Sequence, residues 1–246
     1  MAERDAIVDF CEQRLDAAAF DDYCPNGLQV EGRAAVDKLV SGVTASQALV
    51  DAAVAAQADM LLVHHGYFWR GESPTVVGMK ARRLRALLEH EISLLAYHLP
   101  LDAHPELGNN RQLGLQLGFQ QGAPLSDLVW GVAIEPALEV GQLAARLAQV
   151  LGRPPIVVGP EKPLRKIGWC TGAAQGMIEQ AAAHGCDAFI SGEISEQTLH
   201  QANELGICYF GAGHHATERY GVQALGQEIA DRFGIGHVFI NLDNPA

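Results

Sequence analysis

The sequence is short of charge, and shortest of positive charge. Only 19% of its 246 residues are charged, and 17 Lys and Arg stand against 29 Asp and Glu, for a net charge of -12. No run of five basic residues occurs. Nucleic-acid binding draws most of its affinity from Lys and Arg at phosphates, so this balance argues against a nucleic-acid partner. The five cysteines, Cys11, Cys24, Cys170, Cys186 and Cys208, are odd in number and form no C-x-x-C pair. That excludes a disulfide framework and a thiolate zinc site as expectations. They read as small core hydrophobes of a reducing compartment. No apolar run approaches the ~20 residues that span a bilayer, and the opening MAERDAIVDF lacks the apolar centre of a secretory signal. The expectation is a cytoplasmic protein with no membrane partner. A phosphate loop of the G-x-x-x-x-G-K-[ST] kind is also missing.

What is present is apolar: 48% of residues are hydrophobic and 26 are Gly. That suits an α/β chain with a substantial core, as one large domain or two small ones, and a buried subunit interface. Apolar positions Ile7, Val8, Phe10, Leu15 and Ala19 predict an opening helix over 4–20. DDYCPNGLQVEG (21–32) predicts a turn leading into a short strand. The most informative stretch is KLVSGVTASQALVDAAVAAQAD (38–59). It aligns without a gap, at an offset of 128, with KIGWCTGAAQGMIEQAAAHGCD (166–187). Lys38 matches Lys166, Ala45 matches Ala173, Gln47 matches Gln175, and Asp59 matches Asp187. Each unit reads as strand, small-residue turn, Ala-rich helix, then Asp before a second apolar strand, MLLVHHG or AFISGE. A further helix and strand follow in 81–98 and 195–215. This alternation predicts largely parallel sheets in two pseudo-repeated α/β lobes facing one another. We place the lobes at 1–125 and 126–246, with the C-terminal segment free to return to the first. Residues 104–165 have no counterpart between the repeats; they hold a Leu-rich helix over 141–151 and a strand over 155–158. Residues 233–241 read as a closing strand.

Six of the ten histidines fall in three places, His64 with His65, His98 with His104, and His214 with His215. Each place follows a predicted strand, and open parallel sheets bind ligands at the carboxyl ends of their strands. Asp102 follows His98 by four residues in HLPLD, and Glu218 follows His214 by four in HHATE. With a helix beginning near His214, that spacing puts His214 and Glu218 on one face, able to hold one ion. His64, His65, Asp102, His214 and Glu218 are too many ligands for one tetrahedral zinc. They suit two ions ~3.5–4 Å apart, as in paired-metal hydrolysis. Imidazole with carboxylate fits Zn, Fe, Mn, Ni or Co alike. Glu193 occupies the repeat position of His65 and is a candidate to face the same cavity. His215 is a candidate neighbour of the ligands, and His104 a weaker one. His90, His184, His200 and His237 read as ordinary surface or core residues. The basic stretch MKARRLR (79–85) reads as a solvated helix face that an anion could meet.

The motifs YCPNGLQVEG, GVTAS, VHHGYFWRGE, YHLPLDAHPELGNN, SGEISEQT and AGHHATE, in order from about residue 20 to the C-terminus, resemble the Nif-three-like family of dinuclear-metal hexameric proteins, in its short bacterial form. Members of that family are often labelled GTP cyclohydrolase I type 2 homologues. The resemblance implies two α/β lobes flanking a dimetal cleft, assembled as a toroidal homohexamer. It implies metal ligation by His64, His65, Asp102, His214 and Glu218, the five residues found above. Many members carry HHP where this chain has HHG at Gly66, a change expected to alter loop stiffness rather than ligation. His98 is assigned to the surroundings of the ligands or to proton transfer, and Glu218 to bridging the ions. The expected activity is hydrolysis of a small molecule by metal-activated water. The alternatives are a metal carrier or insertion factor, and a ring-shaped interaction protein with structural metals.

Overall fold

The computed structural model describes every residue from Met1 to Ala246. The chain separates into two compact units, one of Met1–Leu107 with Gly221–Asp243 and one of Gly108–Tyr220 with Asn244–Ala246. The first crossing therefore falls after Leu107, where the sequence reading drew its boundary at 125/126. None of the helices is long and apolar enough to cross a membrane.

The first unit holds a five-stranded sheet in the order Gly236–Phe239, Lys38–Thr44, Met60–His65, Ser93–Ala96, Gly27–Val30. All neighbours are parallel except the last, which runs antiparallel to Ser93–Ala96. Successive side chains of a strand point to opposite faces, and here both faces are covered. Leu39, Met60, Leu62 and Leu95 pack with Ile7, Cys11, Leu225 and Ile229 on one side. Val40, Leu61, Val63 and Leu94 pack with Leu49, Val50 and Leu87 on the other. Burial on both faces is why MLLV reads as a continuous apolar run instead of an alternation.

The second unit holds a six-stranded sheet in the order Ala123–Pro124, Trp130–Leu138, Leu164–Trp169, Ala188–Ser191, Cys208–Gly211, Ile156–Val158. Its three central strands, Leu164–Trp169, Ala188–Ser191 and Cys208–Gly211, are parallel, and the strands beside them are antiparallel. The helix Val140–Leu151 shows how the sequence builds one layer. Glu139 and Gln142 form a capping box at its start, and Gly152 closes it in the left-handed conformation. Leu143, Leu147 and Leu151, four residues apart, form one stripe and are all buried against Ile167, Trp169 and Phe210. Burying such a side chain contributes roughly 1.5–3 kcal/mol, so truncating the middle one would loosen the layer.

The repeat is present as hydrogen bonds as well as letters. Asp59 Oδ2 accepts from the backbone N–H groups of Asp37 (2.9 Å) and Lys38 (3.0 Å). Asp187 Oδ2 accepts from those of Arg165 (2.9 Å) and Lys166 (3.1 Å), the positions 128 residues later. Lys38 Nζ donates to Ala56 O (2.8 Å), and Lys166 Nζ donates to His184 O (2.7 Å). In both units one Asp ties the start of the first strand to the start of the second, and one Lys caps the end of the helix between them.

Four elements depart from the sequence reading. The opening helix covers Arg4–Leu15, because Asp16 turns left-handed and a short 3-10 turn follows at Ala17–Ala19. The closing strand is Gly236–Phe239; Phe233 ends the helix Arg219–Phe233, and Gly234 at positive φ separates the two. The stretch 104–165 also contains a helix, Asn109–Gln116, and a strand, Trp130–Leu138. Their sequences, NNRQLGLQ and WGVAIEPAL, contain an interior Gly or Pro that disfavours either element on local grounds.

Candidate metal centre

In the first unit the strand Met60–His65 ends on the two adjacent histidines. His64 is fully buried, and its Nδ1 donates to Tyr97 O (2.9 Å). His65 Nδ1 lies 3.1 Å from Thr44 Oγ1, on the neighbouring strand. The two rings are 4.6 Å apart, centre to centre. The next strand, Ser93–Ala96, delivers His98, whose ring lies 5.0 Å from that of His64. Four residues on, in the short helix Leu99–Ala103, buried Asp102 brings Oδ1 to 3.4 Å from His64 Nε2. One ring nitrogen from each of His64, His65 and His98 falls within a 4.8 Å span, a grouping that could hold a metal ion.

The sequence reading missed what holds His98. The turn before the Gly27–Val30 strand folds over it, and His98 Nδ1 donates to Asp22 Oδ1 (2.7 Å). The same carboxylate accepts from the backbone N–H of Leu99 and from Asn26 Nδ2, both at 2.9 Å on Oδ2. Asn26 Oδ1 in turn accepts from the backbone N–H of His98 (2.8 Å). Burial pushes the Asp22 carboxyl up, but the His98 and Asn26 hydrogen bonds outweigh it and bring the pKa down to about 2. Cys24, expected as a core hydrophobe, groups with Asp22 and His98. Burial pushes its thiol up to about 12, so it offers a protonated sulfur.

In the second unit the strand Cys208–Gly211 leads to Gly213 and a single helical turn, His214–Thr217. That turn makes the four-residue spacing effective: His214 Nε2 lies 3.1 Å from Glu218 Oε2. Glu193, from the loop after Ala188–Ser191, accepts from His214 Nδ1 at 2.7 Å. The side chain that matches His65 in the repeat thus bonds a candidate ligand. Burial pulls the His214 pKa down, but Glu218 and then Glu193 outweigh it and raise it to about 9. Two carboxylates around one imidazole leave a surplus of negative charge that a cation would neutralise. Gly172 makes room for Glu218. It sits at φ +69°, and a Cβ there would lie 2.1 Å from Glu218 Oε1 and 3.4 Å from His214 Nε2.

A common construction emerges. The acceptors on Nδ1 are a backbone carbonyl for His64, a carboxylate for His98 and a carboxylate for His214. None of these groups can donate, so in all three rings Nδ1 carries the proton and Nε2 is the atom left to face a ligand. Thr44 engages the same nitrogen of His65. Metal-binding histidines are typically held this way through their second nitrogen.

The other histidines serve elsewhere. His104 is buried; its Nε2 meets Arg14 O (3.0 Å) and its Nδ1 accepts from the N–H groups of Glu106 and Leu107. That is a loop-closing role. His237 bonds Ser41 Oγ (2.8 Å), and His200 pairs with Glu196 on the surface. His215 donates its backbone N–H to Ala246 O. Arg82 and Arg85 of the basic stretch are exposed on the helix Gly78–Glu89. Gly66 is fixed by packing: a Cβ there would lie 2.2 Å from Gln29 Oε1 and 2.6 Å from Ala96 Cβ.

Fold and site define a mixed α/β protein whose strand ends carry imidazole and carboxylate groups able to hold metal. The chain belongs to the Duf34/NIF3 (NGG1p interacting factor 3) family, whose sequence profile matches residues 2–245. A Pseudomonas aeruginosa relative named GTP cyclohydrolase 1 type 2 homolog is 58% identical over 246 residues, covering 98% of this chain and 97% of its own. An Allochromatium vinosum relative of the same name is 54% identical over 244 residues, covering 98% and 96%. Among solved structures, a protein called ybgI, described as of unknown function, superimposes with a TM-score of 0.95 at 46% identity over the full length of both chains. TTHA1606 from Thermus thermophilus superimposes with a TM-score of 0.88 at 34% identity, again over both full lengths.

Proposed function

We propose that this chain is a dinuclear metal protein that hydrolyses a small molecule. His64, His65, Asp102, His214 and Glu218 are the ligands, Glu218 is shared between the ions, and the chain works as a homohexamer. The observation that carries the reading is the shared Nδ1 anchoring, which turns the histidines of both units to present Nε2 beside carboxylates. The donors fit the group: imidazole and carboxylate suit Zn, Fe, Mn, Ni or Co, and the negative surplus around His214 suits a divalent cation, which would displace the proton that Glu218 and Glu193 hold on that ring. Bound ions of this kind supply a water acidified toward neutral pH and a Lewis acid for a polarised carbonyl or phosphoryl oxygen.

The chain's own contribution is placement. Burial of His64 and Glu218, 0% and 3% exposed, strengthens their attraction for a cation. Asp102 reaches the same imidazole that Tyr97 anchors, so one rigid strand end serves two donors. The test is a screen of metal-loaded protein against nucleotides and cyclic amides. Turnover that disappears with chelator, returns with metal and is lost in His64→Ala supports hydrolysis. Loaded protein that gives up its ions to a competing chelator and turns over nothing in the screen would replace hydrolysis with metal carrying. The hexamer is tested by native mass measurement.

A further inference from the structure

A cavity of about 430 Å³ opens on the second unit, and no residue of the metal centre lines it. Its size falls in the ~300–1,000 Å³ range of ligand sites. We infer that it binds the C-terminal end of a peptide chain, one that finishes on an apolar residue with a free carboxylate. This is independent of the metal-binding reading above.

The strand Trp130–Leu138 makes the cavity by leaving its ladders. On one side it pairs with Leu164–Trp169 from Trp130 to Ala133, and then again only at Leu138, opposite Leu164. Arg165 alone stands across from Ile134–Ala137, which bulge out of the sheet. Bulges gather beside functional sites, where they re-aim the chain. On the other side, Ala123–Pro124 covers only Gly131 and Trp130. A turn closed by Gly122 N donating to Phe119 O (3.0 Å) carries the chain away before it can cover more. Leu125 N donates to Val129 O (2.7 Å), so the alternate residues Gly131 and Ala133 turn their N–H and C=O groups to that same side. Gly131 meets Ala123 there, and Ala133 meets no strand.

Three kinds of group therefore converge on the cavity. Its floor is apolar, with Phe119 and Val132 buried and Ile134 and Leu138 partly so. Its cation is Arg146, from the helix Val140–Leu151. Arg146 Nη1 donates to Leu117 O (3.1 Å), and the guanidinium carbon lies over the Phe119 ring, 5.8 Å from its centre. Arg146 makes no ion pair, in a chain with 29 acids for 17 bases. Its remaining N–H groups form a fork that suits a carboxylate. The third group is the open backbone of Ala133, one donor and one acceptor, which match a peptide amide. The last residue of a peptide carries all three complements: a carboxylate, a side chain and an amide. A fatty or aromatic acid would leave the backbone groups unused, and an internal peptide segment would leave Arg146 without an anion. Glu135 also lines the cavity, and its carboxylate disfavours a second negative charge. A peptide with Lys upstream of its end therefore fits better than an acidic one.

The test is fluorescence anisotropy of the full chain with dye-labelled hexapeptides SKAVTX, where X is Val, Leu, Ile or Phe. Saturable binding of at least one of them is expected. The same peptide with an amidated end should bind at least ~10-fold more weakly, and so should the free acid to Arg146→Gln, because each loses a charged hydrogen bond. Ala133→Pro removes the N–H on the open edge and keeps the other side of the strand, so it should weaken binding by about 3–10-fold. Acetyl-leucine, which has the carboxylate and side chain but little backbone, should compete more weakly than the hexapeptide. Circular dichroism and unfolding midpoints check both variants. The amidated peptide requires no change to the protein and decides the matter if a variant is unstable. Three results overturn the proposal: no binding of any SKAVTX peptide at about 1 mM, equal binding of the acid and amide forms, or acetyl-leucine binding as tightly as the hexapeptide. The last would make the cavity a site for small organic acids.

Discussion

Gly172→Ala tests the second unit's ligand geometry without touching a ligand. The residue sits at φ +69°, where an L side chain costs about 1–2 kcal/mol. The added Cβ would lie 2.1 Å from Glu218 Oε1, so one of the two must move. The backbone is pinned: Gly172 O accepts from Gly192 N (2.8 Å), Ser191 Oγ (3.0 Å) and Ala174 N (3.0 Å), while Gly172 N donates to Thr217 Oγ1 (3.1 Å). Glu218, only 3% exposed, is therefore what shifts, and its 3.1 Å contact with His214 breaks. Losing a buried charged hydrogen bond costs roughly 1.5–3 kcal/mol. The sum is about 3–5 kcal/mol, or a fall of roughly 6–20 °C in the unfolding midpoint of a chain this size. Gly176→Ala is the control, since nothing lies within 4 Å of a Cβ there. The assay is thermal and denaturant unfolding of metal-free protein, followed by metal titration. A Gly172→Ala protein within about 1 kcal/mol of wild type, binding metal normally, would refute this reasoning.

Other perturbations probe the frame and its pH dependence. Asp59→Ala and Asp187→Ala each leave two backbone N–H groups without their carboxylate, and each should cost about 1–3 kcal/mol in denaturant unfolding; unchanged midpoints would mean that the repeated bonds are decorative. Burial works against the ionised Asp187 carboxyl, but bonds from Arg165 N and Lys162 outweigh it and lower its pKa below 3.8. Its stabilisation is therefore full above pH 3.8 and lost as pH falls through the lower folded value, a dependence that Asp187→Asn should remove from acid-unfolding curves. His237 is a base whose pKa burial lowers, against the pull of Asp231. Its contribution is full above the unfolded value of 6.5 and lost as pH falls through the folded one, so His237→Gln should flatten that limb of the stability profile. Leu147→Ala should cost about 2–5 kcal/mol by opening a cavity among Leu143, Leu151 and Trp169; a loss under about 1 kcal/mol would mean that the stripe does not carry the layer.

Much of the frame was legible because its signals are local or periodic. The 128-residue repeat survives in spacing and in paired Lys and Asp positions, and those residues make matching bonds. His214 and Glu218 were readable because a helical turn makes a four-residue spacing a contact. Asp22 was not readable: its partner His98 lies 76 residues away, and only the folded turn brings them together. Glu193 was half readable, since the repeat gave its position but not its bond to His214. The Trp130–Leu138 strand was hidden by Pro136 and Gly131, residues that a strand beside the sheet edge can hold but that local propensity disfavours. The crowding at Gly66 was not readable either, because Gln29 and Ala96, which cause it, lie on other strands.

The most direct test of the central claim is metal content by elemental analysis of protein purified without added metal or chelator, for wild type and Glu218→Ala. Glu218 lies outside the hydrophobic core clusters, so the variant should keep its fold. The account predicts about two ions per wild-type chain, with at least one lost in the variant while its circular dichroism is unchanged. An empty wild-type protein, or a folded variant that retains every ion, would contradict it.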